Sequence, residues 1–526
     1  MELKDIASIE QATRFGRREL FRLGFSLIFI IGVIFFANIQ VGDIPGSTML
    51  VIAAVIGAYM AINIGANDVA NNVGPAVGSK ALPLAGAILI AAIFEASGAL
   101  IAGGDVVSTI KKGIIDPSMI TDPDTFVWLM IAALLAGAIW LNMATALGAP
   151  VSTTHSIVGA VLGAGIAAGG WDVANWNKMW AIAASWVISP VCGGLIAAGF
   201  LYLIKRTITY QTDMSAAARK MVPLLVATMA WAFSTYLILK GLKKIWKFEF
   251  HEAALIGLAI AVVAYFIIKP RIYKRANNLQ NDKHSINRLF TIPLIFAAAL
   301  LSFAHGANDV ANAVGPLAAI NAVIIGQGVA TKASIPLWVM LVGALGIAIG
   351  LALYGPKLIR TVGSEITELD QIRAFCIAMA AAITVIFASQ LGLPVSSTHI
   401  AVGAVFGVGF LREFLKASYA RMIDEIKRHH AGKDQKEVES FLEKFDHASI
   451  TNKGLMLKEL KRQAKAKKAA PIITKEERKA LRKVYRKELV KRSAFMKIIA
   501  AWIITVPMSG LMAAMLYFTI RGILLP

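Results

Sequence analysis

Cysteine is nearly absent from this 526-residue chain: Cys192 and Cys376 are its only two, and both fall in apolar blocks. That excludes a disulfide framework and a thiolate metal site, and with them cysteine redox chemistry. Charge is scarce as well, at 16% of residues against 57% hydrophobic ones, too little for a soluble chain of this size. The opening lacks a short apolar run ending in a small-residue cleavage site. Instead a block long enough to span a bilayer, 23–44, follows Arg14, Arg17, Arg18 and Arg22. It reads as a retained helix with its N-terminus in the cytoplasm.

What is present is apolar sequence in long blocks. They run over 23–44, 48–64, 83–103, 126–147, 151–168, 179–204, 222–239, 253–268, 289–304, 337–353, 372–391, 395–411 and 498–520. The expectation is an all-α polytopic membrane protein with about 12–13 transmembrane spans. Glycine, at 43 residues, and abundant alanine suit close helix packing in lipid.

Lys and Arg concentrate at 205–220, 269–288 and above all 412–497, which places those segments in the cytoplasm. The loop 105–124 carries four Asp against Lys111 and Lys112 and belongs outside. Lys240, Lys243, Lys244 and Lys247 disagree, since the span count puts them outside too. Residues 412–497 hold 25 Lys plus Arg against 12 Asp plus Glu, a surplus of 13 out of the chain's +21. This stretch reads as a cytoplasmic insertion that sits near anionic lipid, with a charged helix over 474–492 and no nucleic-acid partner.

The chain repeats itself. Gly65-Ala66-Asn67-Asp68-Val69-Ala70-Asn71-Asn72-Val73-Gly74-Pro75 returns as Gly306-Ala307-Asn308-Asp309-Val310-Ala311-Asn312-Ala313-Val314-Gly315-Pro316, 241 residues later. Pro150-Val151-Ser152-Thr153-Thr154-His155 returns as Pro394-Val395-Ser396-Ser397-Thr398-His399, 244 residues later. A looser match links 188–194 to 505–510. By the span count the two GANDVAN segments cross in opposite directions. Two inverted-topology repeats with broken helices and re-entrant hairpins are expected, with a transporter site at their interface. The divisions are 1–47 (N-terminal cytoplasmic segment and extra membrane helix), 48–204 (first repeat), 205–288 (linker with two membrane helices), 289–411 (second repeat), 412–497 (insertion) and 498–526 (final helix of the second repeat).

The motifs carry complementary chemistry. Proline followed by three hydroxyl residues starts a helix whose free N–H groups, dipole and hydroxyls suit a phosphate-like anion. The Asn-Asp motif offers hard oxygen ligands that suit Na⁺, or a carboxylate that takes a proton. Neither motif contains Lys or Arg. Two aspartates and an anion of charge about −2 would gather about four negative charges, at a depth where one costs about 2.5–3.5 kcal/mol. Cations must enter with the anion, or the aspartates must be protonated, so coupling to Na⁺ or H⁺ follows.

These paired motifs resemble those of the inorganic phosphate transporter (PiT) family, over roughly 48–204 and 289–520. The resemblance implies phosphate contacts from Asn67, Asp68, Ser152, Thr153, Thr154, Asn308, Asp309, Ser396, Ser397 and Thr398. It implies coupling-ion contacts at Asn67, Asp68, Asn71, Asn308, Asp309 and Asn312, Na⁺ ligands if the carrier is sodium-driven, and a second-rank transport role for Glu95 and His305. One departure stands out: Ile377-Ala378-Met379 is apolar where relatives often carry an acid before the second PVS motif. The expected function is import of inorganic phosphate with a cation, Na⁺ ahead of H⁺, across the inner (plasma) membrane, with no cofactor. The alternatives are sulfate or a neutral metal–phosphate complex as cargo, and, remotely, an intramembrane hydrolase using Ser152 and His155. Large apolar surfaces are compatible with a homodimer.

Overall fold

The computed structural model describes residues 3–120, 122–147, 151–241, 246, 248–326, 335–365, 369–429, 435–447, 456, 459 and 492–524. The first part of the chain forms α1 (Leu3–Val41), α2 (Ser47–Asn67), α3 (Val69–Gly78), α4 (Leu84–Ala102), α5 (Gly104–Lys112), α6 (Pro123–Ala146), α7 (Thr153–Gly169) and α8 (Trp176–Ile204). A middle section follows as α9 (Met214–Gly241), α10 (Phe250–Asn277) and α11 (Lys283–Leu289). The last part forms α12 (Thr291–Ile324), α13 (Leu337–Glu365), α14 (Gln371–Gln390), α15 (Ser397–His429), α16 (Gln435–His447) and α17 (Arg492–Leu524). Among the described residues, 12 helices are long and apolar enough to cross a membrane. The expected thirteenth span, 151–168, is α7, which at 17 residues is shorter than the others.

Both GANDVAN motifs lie inside helices, not at the breaks expected beside them. The second is crossed without interruption by the 34 residues of α12, including Pro316. At the first, α2 and α3 part only at Asp68, whose φ of −83° and ψ of −38° are themselves right-handed helical. Proline removes one N–H, and a helix packed on all sides tolerates that loss. The true breaks come at the PVS motifs. Helix α6 ends at Ala146 and α7 begins at Thr153; α14 ends at Gln390 and α15 begins at Ser397. Gly392, at φ +65°, makes the second of these turns, in a region that only glycine enters cheaply. Residues 151–155 and 395–399 are buried, so both helix starts lie inside the protein.

The packing is reciprocal between the two parts. Helix α4 packs on α12 and α13 on α2; α7 packs on α17 and α15 on α8. Glycine makes each approach close enough for backbones to touch. A Cβ on Gly306 would overlap the carbonyl of Glu95 and one on Gly98 that of Phe303; Gly65 and Gly350 stand likewise against Ile347 and Ile62. Since Gly65 and Gly306 are the same letter of the repeat, Ile347 holds the place of Glu95. Gly163 meets Gly510, and Gly407 meets Gly194, in the same backbone-to-backbone manner.

Lys240, whose position conflicts with the charge pattern, forms an ion pair with Asp105, and its Nζ also donates to the Ser389 carbonyl at 3.4 Å. A nearby acid therefore offsets its charge. Lys243, Lys244 and Lys247 lie outside the described residues, as does the expected charged helix 474–492 up to Arg492, where α17 starts. Helix α15 continues past 411 to His429, so the insertion grows out of a membrane helix.

Candidate functional site

The buried starts of α7 and α15 meet the middles of α2–α3 and α12. Thr153 donates its hydroxyl to Asp68 Oδ2 at 2.7 Å, and its repeat equivalent Ser397 donates to Asp309 Oδ2 at 3.1 Å. Thr153 also lies 3.4 Å from Asp309 Oδ2, so one hydroxyl bridges both carboxylates. The asparagines cross between the parts. Asn312 Nδ2 donates to Thr153 and Thr154 at 2.9 and 3.2 Å, and Asn71 Nδ2 to Thr398 at 2.9 Å. Thr154 Oγ1 and Asn308 Nδ2 both donate to the Val395 carbonyl, at 3.0 and 2.8 Å, tying the first PVS motif and the second GANDVAN motif to the second PVS motif.

Ser152 and Ser396 do something else. Their hydroxyl oxygens accept from the backbone N–H of His155 and His399 at 3.1 and 3.2 Å, the N-cap geometry of a Pro-x-Ser start. The two imidazoles lie in an aromatic column. His155 packs on Trp186 with centroids 3.8 Å apart and edge-on to His399 at 4.4 Å, while His399 stacks on Trp502 at 3.6 Å. The His155 ring packs away from a Ser152 oxygen that serves as a cap, which is not the arrangement of a nucleophile and its base.

The donors of the asparagine amides are engaged, and their acceptors are not. Asp68 Oδ1 and the Oδ1 atoms of Asn71, Asn308 and Asn312 are buried and receive no hydrogen bond. Pro75 and Pro316 have no N–H to give the carbonyls four residues back, which belong to Asn71 and Asn312. Hard oxygens thus gather at the repeat interface with no donor of their own, an arrangement that suits a cation. Asp68, His305 and Asp309, all buried, each bring one ligand atom to within 4.8 Å of the others.

On one side only, this core continues into a charged arm. His305 Nδ1 lies 2.6 Å from Glu95 Oε2, and its Nε2 lies 2.8 Å from Asp309 Oδ2, at ion-pair distance though out of line for a hydrogen bond. Asn72 Nδ2 donates to Glu95 Oε1 at 2.7 Å. At the matching places of the other part stand Ile64, Ile347 and Ala313, all buried and apolar.

The structure therefore brings Asn71, Asp68, Thr153, Thr154, Asn308, Asp309, Asn312, Ser397 and Thr398 into one connected set, with Ser152 and Ser396 at its helix starts and Glu95 and His305 on its arm. Asn67 Nδ2 donates to Thr145 Oγ1 at 2.9 Å, and its Oδ1 is buried like those of the other asparagines. Asn72, Thr145 and the two tryptophans were not singled out from sequence. For Asn72 a signal exists: Asn72 against Ala313 and His305 against Ile64 are places where the repeat copies differ, and both residues meet at Glu95.

The chain resembles known proteins over most of its length. The model of the phosphate transporter family matches residues 64–513. A Helicobacter pylori (strain ATCC 700392 / 26695) protein named "Putative phosphate permease" is 54% identical over 527 residues, covering 98% of each chain. A Pyrococcus furiosus protein bearing the same description is 39% identical over 371 residues, 69% of this chain and 88% of its own. Among solved structures, one titled "The sodium-dependent phosphate transporter" superposes with a TM-score of 0.73 at 31% identity, over 91% of this chain and 100% of that one.

Proposed function

The chain belongs to the phosphate transporter family, and we propose that it is a symporter that imports inorganic phosphate together with a cation, Na⁺ ahead of H⁺. The observation that carries this is the set of buried, donor-less oxygens on Asp68, Asn71, Asn308 and Asn312, placed beside two hydroxyl-bearing helix starts. Na⁺ takes the oxygens. Phosphate takes the N–H groups and hydroxyls at the starts of α7 and α15, the hydroxyls of Thr153, Thr154, Ser397 and Thr398 being held by the aspartates and asparagines when the anion is away.

The charge count makes each ligand depend on the other. Asp68, Asp309 and Glu95 stand against one imidazole, and the four motifs hold no Lys or Arg. An anion entering this set meets carboxylates already buried, a strongly unfavourable encounter until a cation or proton offsets them. A cation bound first lowers that cost and frees Thr153 and Ser397 to turn toward the anion. Sodium preference is supported by the asparagine and carboxylate oxygens, and by the sodium-dependent protein with which the fold superposes.

Linkage tests the reading. Calorimetric titration of purified protein with phosphate should show affinity rising with Na⁺ concentration, and titration with Na⁺ should show the same factor when phosphate is varied. Phosphate affinity independent of Na⁺ and of pH would contradict it.

A further inference from the structure

A cavity of about 880 Å³ runs between α1 and the neighbouring ends of α2, α6 and α13 and reaches the first GANDVAN motif. Its deep wall includes Ala66 and Thr145, and the Thr145 hydroxyl holds Asn67. Tyr59, Asn63 and Asn142 add polar groups along the way. Its outer wall is α1, which precedes the region matched by the family model, 64–513. That helix supplies the one cationic side chain of the lining among the described residues, Arg22.

Arg22 is built into the wall. Its side chain is 15% exposed, its Nη1 donates to Glu19 Oε1 at 2.5 Å, and its guanidinium lies 5.8 Å from the centroid of the Tyr354 ring. The Tyr354 hydroxyl is in turn 3.1 Å from Ser26 Oγ, so α1 grips the tyrosine at two points. A guanidinium keeps its charge and presents a planar fork that fits two oxygens of a tetrahedral oxyanion. Glu19, 40% exposed and on the same helix, occupies part of that fork and can swing toward water. The motifs beyond contain no Lys or Arg, so on this route the vestibule is where an anion meets fixed positive charge.

We propose that Arg22 is a transit site for the transported oxyanion, inorganic phosphate, and that Glu19 is the exchange partner that releases the guanidinium when the anion arrives and takes it back when the anion moves on. The proposal rests on the transport reading above and adds a binding site that the extra helix contributes.

The test is equilibrium dialysis of purified full-length protein with radiolabelled phosphate at saturating Na⁺. Arg22→Gln should weaken binding about tenfold, the size of one lost charge-assisted hydrogen-bond pair. Arg22→Lys should recover part of this, and Glu19→Gln should tighten binding a few-fold by freeing the fork. Raising ionic strength with choline chloride should weaken wild-type binding more than that of Arg22→Gln. Equal binding by wild type and Arg22→Gln, or the same direction of change in Arg22→Gln and Glu19→Gln, would overturn the site and reduce both residues to holding α1. The transport reading fails separately: wild-type vesicles that take up no phosphate under any cation gradient, with dialysis still dependent on Arg22, would leave the site and remove the symport.

Discussion

Glu95 and His305 form a fully buried pair, Oε2 to Nδ1 at 2.6 Å, where the matching places of the other part hold the buried, apolar Ile347 and Ile64. The two halves of the site are therefore chemically unequal. Asp309 Oδ2 lies 2.8 Å from His305 Nε2, an imidazole that faces a second carboxylate, whereas the Asp68 carboxylate takes its hydrogen bond from the Thr153 hydroxyl, with His305 farther off. Removing one member of such a pair strands the other, and a hydrogen bond to a charged group is worth about 1.5–3 kcal/mol. Glu95→Gln and His305→Gln should each slow phosphate uptake roughly tenfold to a hundredfold, and the double variant should be no slower than the worse single one. Additive losses would mean that the residues act apart.

The same inequality separates the aspartates. Asp68→Asn and Asp309→Asn should both reduce uptake and its dependence on the cation, with Asp309→Asn changing the pH profile more, because its Oδ2 lies at ion-pair distance, 2.8 Å, from His305 Nε2. Initial rates against Na⁺ concentration and pH decide this. Unchanged uptake in both variants would remove the GANDVAN motifs from the site.

Thr153→Val and Ser397→Ala delete the hydroxyls that hold the two carboxylates. Each loses a neutral-to-charged hydrogen bond and keeps its helix start, which Ser152 and Ser396 cap. The expected result is a fold unchanged by circular dichroism and a KM for phosphate raised about five- to thirtyfold, about 1–2 kcal/mol. Ser152→Ala should act on stability instead, by about 1 kcal/mol, the cost of a lost cap.

Gly98→Ala and Gly306→Ala would each drive a Cβ into a facing carbonyl and force α4 from α12, whereas Gly24→Ala on α1 meets nothing within 4 Å. Overpacking costs about 1–3 kcal/mol or more. Thermal unfolding in detergent should show the first two clearly destabilised and the third unchanged.

Asp282 caps α11, accepting from the backbone of His284 and Ser285 at 2.8 and 3.0 Å and from the Ser285 hydroxyl at 2.7 Å. These bonds, the Ser285 side chain first, hold its carboxyl below the usual carboxylate range. A depressed folded value stabilises above the unfolded value of about 3.9 and is lost as pH falls through the folded one. Asp282→Asn should therefore lower stability slightly at pH 7 and flatten its further loss below about pH 4.

Much of this was open to reading in the sequence. Apolar blocks located the spans, and a doubled motif located the aspartates, because an Asn-Asp pair in a membrane helix needs a partner. Helix continuity was not legible. Gly74-Pro75 and Gly315-Pro316 look like breaks, yet neighbours packed on every side keep α12 intact, while the breaks fall at the PVS motifs. The counterpart of Glu95 is recognisable only by contact: Ile347 shares no chemistry with it, and the glycine approaches that equate them are tertiary. The column Trp186, His155, His399, Trp502 joins residues more than 300 positions apart, and no local pattern announces it. The reach of α1 over the vestibule is likewise a property of packing.

The central claim is that a cation and phosphate cross together through the paired motifs. The most direct measurement is radiolabelled phosphate uptake into proteoliposomes of the purified chain, first with an inward Na⁺ gradient at fixed pH and then with an inward H⁺ gradient without Na⁺. The account predicts concentrative uptake under the Na⁺ gradient that collapses in Asp68→Asn and Asp309→Asn. Uptake under the H⁺ gradient alone would make the aspartates proton carriers, and phosphate equilibrating without either gradient would contradict symport.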